Sequence, residues 1–161
     1  MGAMKYYFTF TDKLGKIVHY TAAILLAAMV TLFFVQTLLR FMISYSMSWA
    51  EEACRDLFIW SSLLEASVGI TKDLHVGFDL IIKNAKGLFK RCLTLVINIL
   101  ITVFGFILFY YGSRLVSQGV TQLSTSLQIP MSYIYMCIPI CGVLSMIFAA
   151  DNILRKVVAT K

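Results

Sequence analysis

Residues 46–60 read SMSWAEEACRDLFIW and run on into SSLLEASVGIT, residues 61–71. The second half has the composition of a membrane-spanning helix, yet Glu51, Glu52, Arg55 and Asp56 crowd its first two turns. If the hydrocarbon part begins after Asp56, Leu57 to Thr71 supplies 15 residues. That is ~22 Å of helix against a bilayer core of ~30 Å. If it begins nearer Trp49, the helix carries all four charges at its outer end. Either way Glu65 lies inside the span, ~24 Å along the axis from Trp49. A charge at the centre of a span costs about 2.5–3.5 kcal/mol on insertion scales. The sequence therefore predicts a spanning helix over 48–71 that is covered by protein, or lies beside water, over much of its length.

Local chemistry accounts for part of the charge. Ser48 and Glu51 have the S-x-x-E spacing of a capping box, which would satisfy free amides at a helix start. Glu51 and Arg55 are spaced i, i+4 in the favourable order. Glu52 and Asp56 are also i, i+4, and their like charges repel unless a cation lies opposite. Arg40 is the cation in the chain best placed to do so. Trp49 and Trp60 flank this cluster, and Trp49, Glu51, Glu52, Arg55, Asp56, Trp60 and Glu65 are the expected partner-interface residues.

Working outward, 60% of the 161 residues are hydrophobic and only 14% are charged. Soluble domains carry about 25% charged residues, so the balance points to the membrane. The net charge of +6 does not mark a nucleic-acid binder, because the basic residues sit in short segments between apolar runs. Ile17 to Leu39 is charge-free, and its 23 residues span ~34 Å. With no small-residue cleavage site following, it reads as a retained span rather than a signal peptide. Cys92 to Ser113 is charge-free and spans as well. Pro130 to Ala150 makes a last span, with Pro130 at a first turn and Pro139 expected to kink the interior. The expected fold is an all-α integral membrane protein with four transmembrane helices, at 17–40, 48–71, 91–114 and 129–154.

Of the lysines and arginines, 11 lie in the N-terminal arm, the connection between the second and third spans and the tail, against Arg40, Arg55 and Arg114 on the other side. The positive-inside rule then puts both termini in the cytoplasm, leaving residues 46–60 outside. The arm, 1–16, places Tyr7, Phe10, Leu14, Ile17 and Val18 at helical spacing opposite Lys5, Asp12, Lys13 and Lys16. It reads as an amphipathic helix on the cytoplasmic leaflet. Residues 72–90, KDLHVGFDLIIKNAKGLFK, have the same character, with the tail at 155–161, whereas 117–128 is an uncharged polar outer loop. Cys54, Cys92, Cys137 and Cys141 show no framework spacing and read as small buried side chains. Thr94, Asn98 and Thr102 on the third span, and Gly142, Ser145 and Ala149 on the fourth, form stripes suited to helix packing. Asp151 and Arg155 make an i, i+4 pair. His19 and His75 sit near cytoplasmic ends, away from the interior positions a haem would require. No nucleotide loop, nucleophile motif or metal cluster is present in the sequence, so neither an enzyme nor a cofactor is expected.

Two motifs carry a family resemblance. The run W-x-E-E-x-x-R-x-x-x-x-W (Trp49, Glu51, Glu52, Arg55, Trp60) is followed by K-x-x-H-V-x-F-D (Lys72, His75, Val76, Phe78, Asp79). Together they resemble the small membrane subunit of tripartite ATP-independent periplasmic transporters, the DctQ-like family. Glu65 departs from that pattern, which has a small residue there. The resemblance implies a non-catalytic subunit of a sodium-coupled, binding-protein-dependent importer of an organic acid, of carboxylate or sialic acid type, in the bacterial inner membrane. Its implied partners are the large membrane subunit, the periplasmic solute-binding protein and membrane lipids. Lys72, His75 and Asp79 are then a cytoplasmic positioning motif. The competing reading is a self-contained four-helix proton- or cation-coupled exchanger, a homodimer acting through Glu65.

Overall fold

The computed structural model describes residues 2–43, 47–70 and 88–158. They form five helices: α1 (Gly2–Ile43), α2 (Ser48–Gly69), α3 (Leu88–Gly119), the short α4 (Met131–Tyr135) and α5 (Cys137–Val158). Among the described residues there is no strand, only an isolated bridge between Leu123 and Pro130. Among the described residues, three helical stretches are long and apolar enough to cross a membrane: Tyr6–Met42, Leu95–Gly119 and Met131–Arg155. The expected connection at 72–90, with Lys72, His75 and Asp79, lies outside the described residues apart from its last turn, Leu88 to Lys90.

The chain is two antiparallel helix pairs joined face to face. α1 packs along α2, α3 packs along α5, and α2 meets α5 to close the bundle. The centre holds Val18 and Ala22 of α1, Leu64 and Val68 of α2, and Leu144, Phe148 and Ala149 of α5. Trp60 packs against this cluster. It therefore contributes to the core.

The α2–α5 contact is close because its residues are small. Ser67 Oγ lies 3.0 Å from Cys141 Sγ, and that thiol donates to the Leu63 carbonyl at 3.3 Å. Cys54, Cys137 and Cys141 are all buried. The α3–α5 seam is closer still. Gly105, Gly112 and Gly119 recur every seven residues in line with buried Asn98. A Cβ on Gly105 would meet the Gly142 carbonyl at 2.9 Å, and one on Gly112 would meet Pro139 Cδ at 2.8 Å. Small residues at this spacing let two helix backbones approach directly.

Several expectations change. The arm and the first span are one uninterrupted helix of 42 residues, ~63 Å long. One side of the arm is packed on α5 through Thr11, Gly15 and Val18, although Tyr6 and Phe10 stay exposed. The capping box does not form: Met47 occupies the N-cap position without a side-chain cap, and its carbonyl accepts from the Ala50 amide at 3.1 Å. Pro139 acts one turn earlier than a simple kink would. Its ring is incompatible with a carbonyl four residues back, and α4 ends at that residue, Tyr135, with α5 resuming at Cys137. α3 continues through Gly119, the third residue of the 117–128 segment.

Candidate partner-binding surface

Short contacts with α1 set the register of α2. His19 Nδ1 lies 2.9 and 3.0 Å from the two oxygens of Glu65. Further out, the Cys54 thiol donates to the Met29 carbonyl at 3.8 Å. Beyond that, Arg40 Nη1 stands 4.0 Å from Glu51 Oε1, with both side chains more than half exposed. α2 thus runs antiparallel to α1 across the apolar stretch from His19 to Arg40. Glu65 lies level with His19, near one end of that stretch rather than at its centre. Sequence reasoning assigned no partner to His19 or Glu65; the two pair with each other. It offered Arg40 to Glu52 and Asp56, but Arg40 faces Glu51.

Glu52 has a different role. Its carboxylate accepts from the Ser124 hydroxyl, from the Ser126 amide at 2.7 Å and from the Leu127 amide at 3.2 Å. The loop that returns from α3 is thereby fastened to the first turns of α2. The loop closes on itself through the Ser124 amide donating to Ile129 at 2.9 Å, and it turns at Gln128, whose φ of 54° is left-handed. Nothing in the local sequence of α2 announced this, because the donors, a hydroxyl and two backbone amides, lie more than 70 residues away. Asp56 is half-buried beside this junction, and its Oδ2 has no hydrogen-bond partner among the described residues.

The opposite end of the bundle has its own network. Asp151 is 4% exposed. It accepts from the Thr11 hydroxyl at 3.0 Å and from Arg155 Nε at 2.8 Å. Arg155 also donates to the Phe8 carbonyl at 3.2 Å and to Asp12 at 2.7 Å, with its guanidinium over the Phe8 ring. Asn152 donates to the Ile70 carbonyl at 2.9 Å, satisfying a group at the end of α2. The Asp151–Arg155 pair was legible in the sequence; its reach to Phe8, Thr11 and Asp12 was not.

The outward face of α2 unites most of the expected interface residues. Glu51, Arg55, Phe58, Ser62, Glu65 and Ala66 are all exposed and fall on one side of the helix. Trp49 is exposed at its N-terminal end, whereas Trp60 points to the core and Glu52 to the loop. A cleft of about 640 Å³ opens between the C-terminal half of α1 and the start of α2, lined by Phe33, Gln36, Arg40 and Glu51 among others.

A bundle of helices long and apolar enough to cross a membrane is the architecture of an integral membrane protein. Comparison with known proteins then places it. The family model described as "Tripartite ATP-independent periplasmic transporters, DctQ component" matches residues 29–159, and the chain belongs to that family. It is a family of transporter components, not of enzymes. Among similar proteins is the C4-dicarboxylate TRAP transporter small permease protein DctQ of Vibrio cholerae serotype O1, 29% identical over 87 residues, or 54% of this chain. The protein of the same description from Rhodobacter capsulatus is 31% identical over 93 residues, 56% of this chain. The matched parts cover 36% and 41% of those two relatives.

Proposed function

We propose that the chain is the non-catalytic small membrane subunit of a sodium-coupled, binding-protein-dependent importer of an organic acid. It packs against the large transport subunit and enlarges that subunit's fixed scaffold in the inner membrane. The observation that carries this reading is the family match over residues 29–159, from the outer half of α1 through α5.

The geometry supports α2 as a fourth span. Its pairings with His19, Met29 and Arg40 follow the apolar run of α1, so a bilayer that contains that run also contains α2. The segment boundaries proposed are 17–40, 48–71, 91–114 and 129–154, with 1–16 and 72–90 at the cytoplasmic surface, both termini inside and 155–161 as the tail. The fastened loop and Trp49 then face the periplasm, where a soluble solute-binding protein docks. The relatives named above carry C4-dicarboxylate in their descriptions, and a carboxylate or sialic acid type of solute is the class proposed here. Lys72, His75 and Asp79 keep their proposed part as a cytoplasmic positioning motif.

The test is reconstitution. The chain is purified with and without its co-expressed large subunit, and uptake is measured in liposomes under a sodium gradient with the binding protein added. Uptake that requires all three components supports the reading. Uptake by this chain alone, abolished by Glu65→Gln, would establish the homodimeric exchanger instead.

A further inference from the structure

The fold contains a conflict between depth and charge. The Cys54–Met29 hydrogen bond sets Arg55 level with the middle of the charge-free run of α1. That run continues from Met29 to Leu39, a further ~15 Å toward the outer surface. Arg55 and Glu65 are separated by another ~15 Å along α2. Both face away from the bundle, with Phe58 and Ser62 between them and Ala66 just beyond Glu65 on the same side. A charge presented to hydrocarbon at the depth of Arg55 is costly, and intramembrane charges accordingly face protein or water. The other outward faces show no such conflict. That of α3 displays Val96, Leu100, Val103, Phe104 and Ile107, with no charged residue between Arg91 and Arg114. That of α1 displays Ile24, Val30, Phe34 and Leu38, with no charged residue between His19 and Arg40.

We propose that the outward stripe of α2, from Glu51 through Arg55, Ser62 and Glu65, is the seat of a transmembrane helix of the large subunit, while α3 faces lipid. The inference rests on the small-subunit reading and assigns its contact surface. The occupant is defined by complementarity. It presents a hydrogen-bond acceptor or carboxylate level with Arg55, a donor level with Glu65, and a small residue opposite Ser62 and Ala66. Those two small side chains, with Gly69, where an added Cβ would meet nothing within 4 Å, leave room for a close backbone approach. A second copy of this chain does not fit. Two copies related by a twofold axis along the membrane normal run parallel, so Arg55 would meet Arg55 and Glu65 would meet Glu65 at equal depth.

A photo-crosslinking residue, p-benzoylphenylalanine, placed at Ser62 or at Val103 tests this in membranes containing the chain and its large subunit. An adduct to the large subunit from Ser62 and none from Val103 is the expected result. An adduct from Val103 and none from Ser62 overturns the proposal, as does a homodimeric adduct from Ser62. In parallel, Ser62→Trp is expected to lower recovery of the large subunit with the tagged chain about tenfold or more, with Val103→Trp unchanged. Both sites are exposed, so both variants should remain folded in the membrane. If the unmodified chain fails to recover the large subunit at all, the small-subunit reading falls and takes this proposal with it. Recovery with the wrong crosslink overturns the seat alone.

Discussion

Gly142 and Gly105 meet backbone to backbone: a Cβ on Gly142 would stand 2.6 Å from the Gly105 carbonyl oxygen and 2.8 Å from the Phe109 amide nitrogen. Neither neighbour is a flexible side chain, so only separation of α3 from α5 relieves the clash. Gly142→Ala is therefore expected to destabilise the chain by about 1–3 kcal/mol, as overpacking does elsewhere. Gly69→Ala is the control, since open space surrounds that position. It should be neutral or stabilise by up to about 1 kcal/mol, because alanine favours the helix. Thermal unfolding in detergent, followed by circular dichroism, separates the two. Equal midpoints for Gly142→Ala and the parent would contradict the close seam.

What the sequence revealed and what it withheld follow from the range of each interaction. The spans of α1, α3 and α5 were legible because hydrophobic length is a local property. So was the anomaly at Glu51 to Asp56. The seven-residue recurrence of Gly105, Gly112 and Gly119 is local in the same way, although the helix it packs against is not. The partners of Glu52 and Glu65 were not legible. Ser126 and His19 come together with them only when separate helices pack, and no spacing rule along one segment encodes that. The capping box shows the converse error: Ser48 and Glu51 satisfy the pattern, but the chain enters the helix at Met47 and leaves Ser48 one position too far in.

The Glu52 junction predicts which amides depend on it. Glu52→Ala removes the acceptor for Ser126, Leu127 and the Ser124 hydroxyl together. Hydrogen exchange at the Ser126 and Leu127 amides should rise about tenfold, as expected when bonds to a charged acceptor are lost. Exchange in the middle of α5, around Leu144, should not change. Glu51→Ala is the comparison, since Glu51 contacts Arg40 instead, and it should leave the loop amides protected. Should the loop take part in docking the binding protein, only Glu52→Ala among these two would weaken that docking through loop order.

At the other end, Asp151 is nearly fully buried and holds Thr11 and Arg155. Asp151→Ala leaves the Thr11 hydroxyl and the guanidinium Nε without this acceptor, and a loss of about 1–3 kcal/mol is expected. Thr11→Val removes one neutral donor and keeps the ion pair, so about 1 kcal/mol is expected. The two substitutions share a contact, and their effects in the double variant should therefore fall short of the sum. Additive midpoint shifts in a thermal double-mutant cycle would show that Thr11 and Asp151 act independently.

His19 and Glu65 decide between a structural pair and a transport site. Both side chains are close to half exposed, so the pair contributes little in the isolated chain. Glu65→Gln should shift stability by no more than about 1 kcal/mol. It keeps an oxygen that can accept from a donor on a neighbouring helix, so assembly with the large subunit should survive. Uptake by the reconstituted three-component system is accordingly expected to stay within about a factor of five of the parent. Glu65→Lys is the informative contrast, because it places a cation beside His19 and reverses the charge offered to the partner. Recovery of the large subunit should drop with Glu65→Lys while it holds with Glu65→Gln. Loss of uptake in Glu65→Gln with assembly intact would instead make this carboxylate part of an ion path, and the chain more than a scaffold.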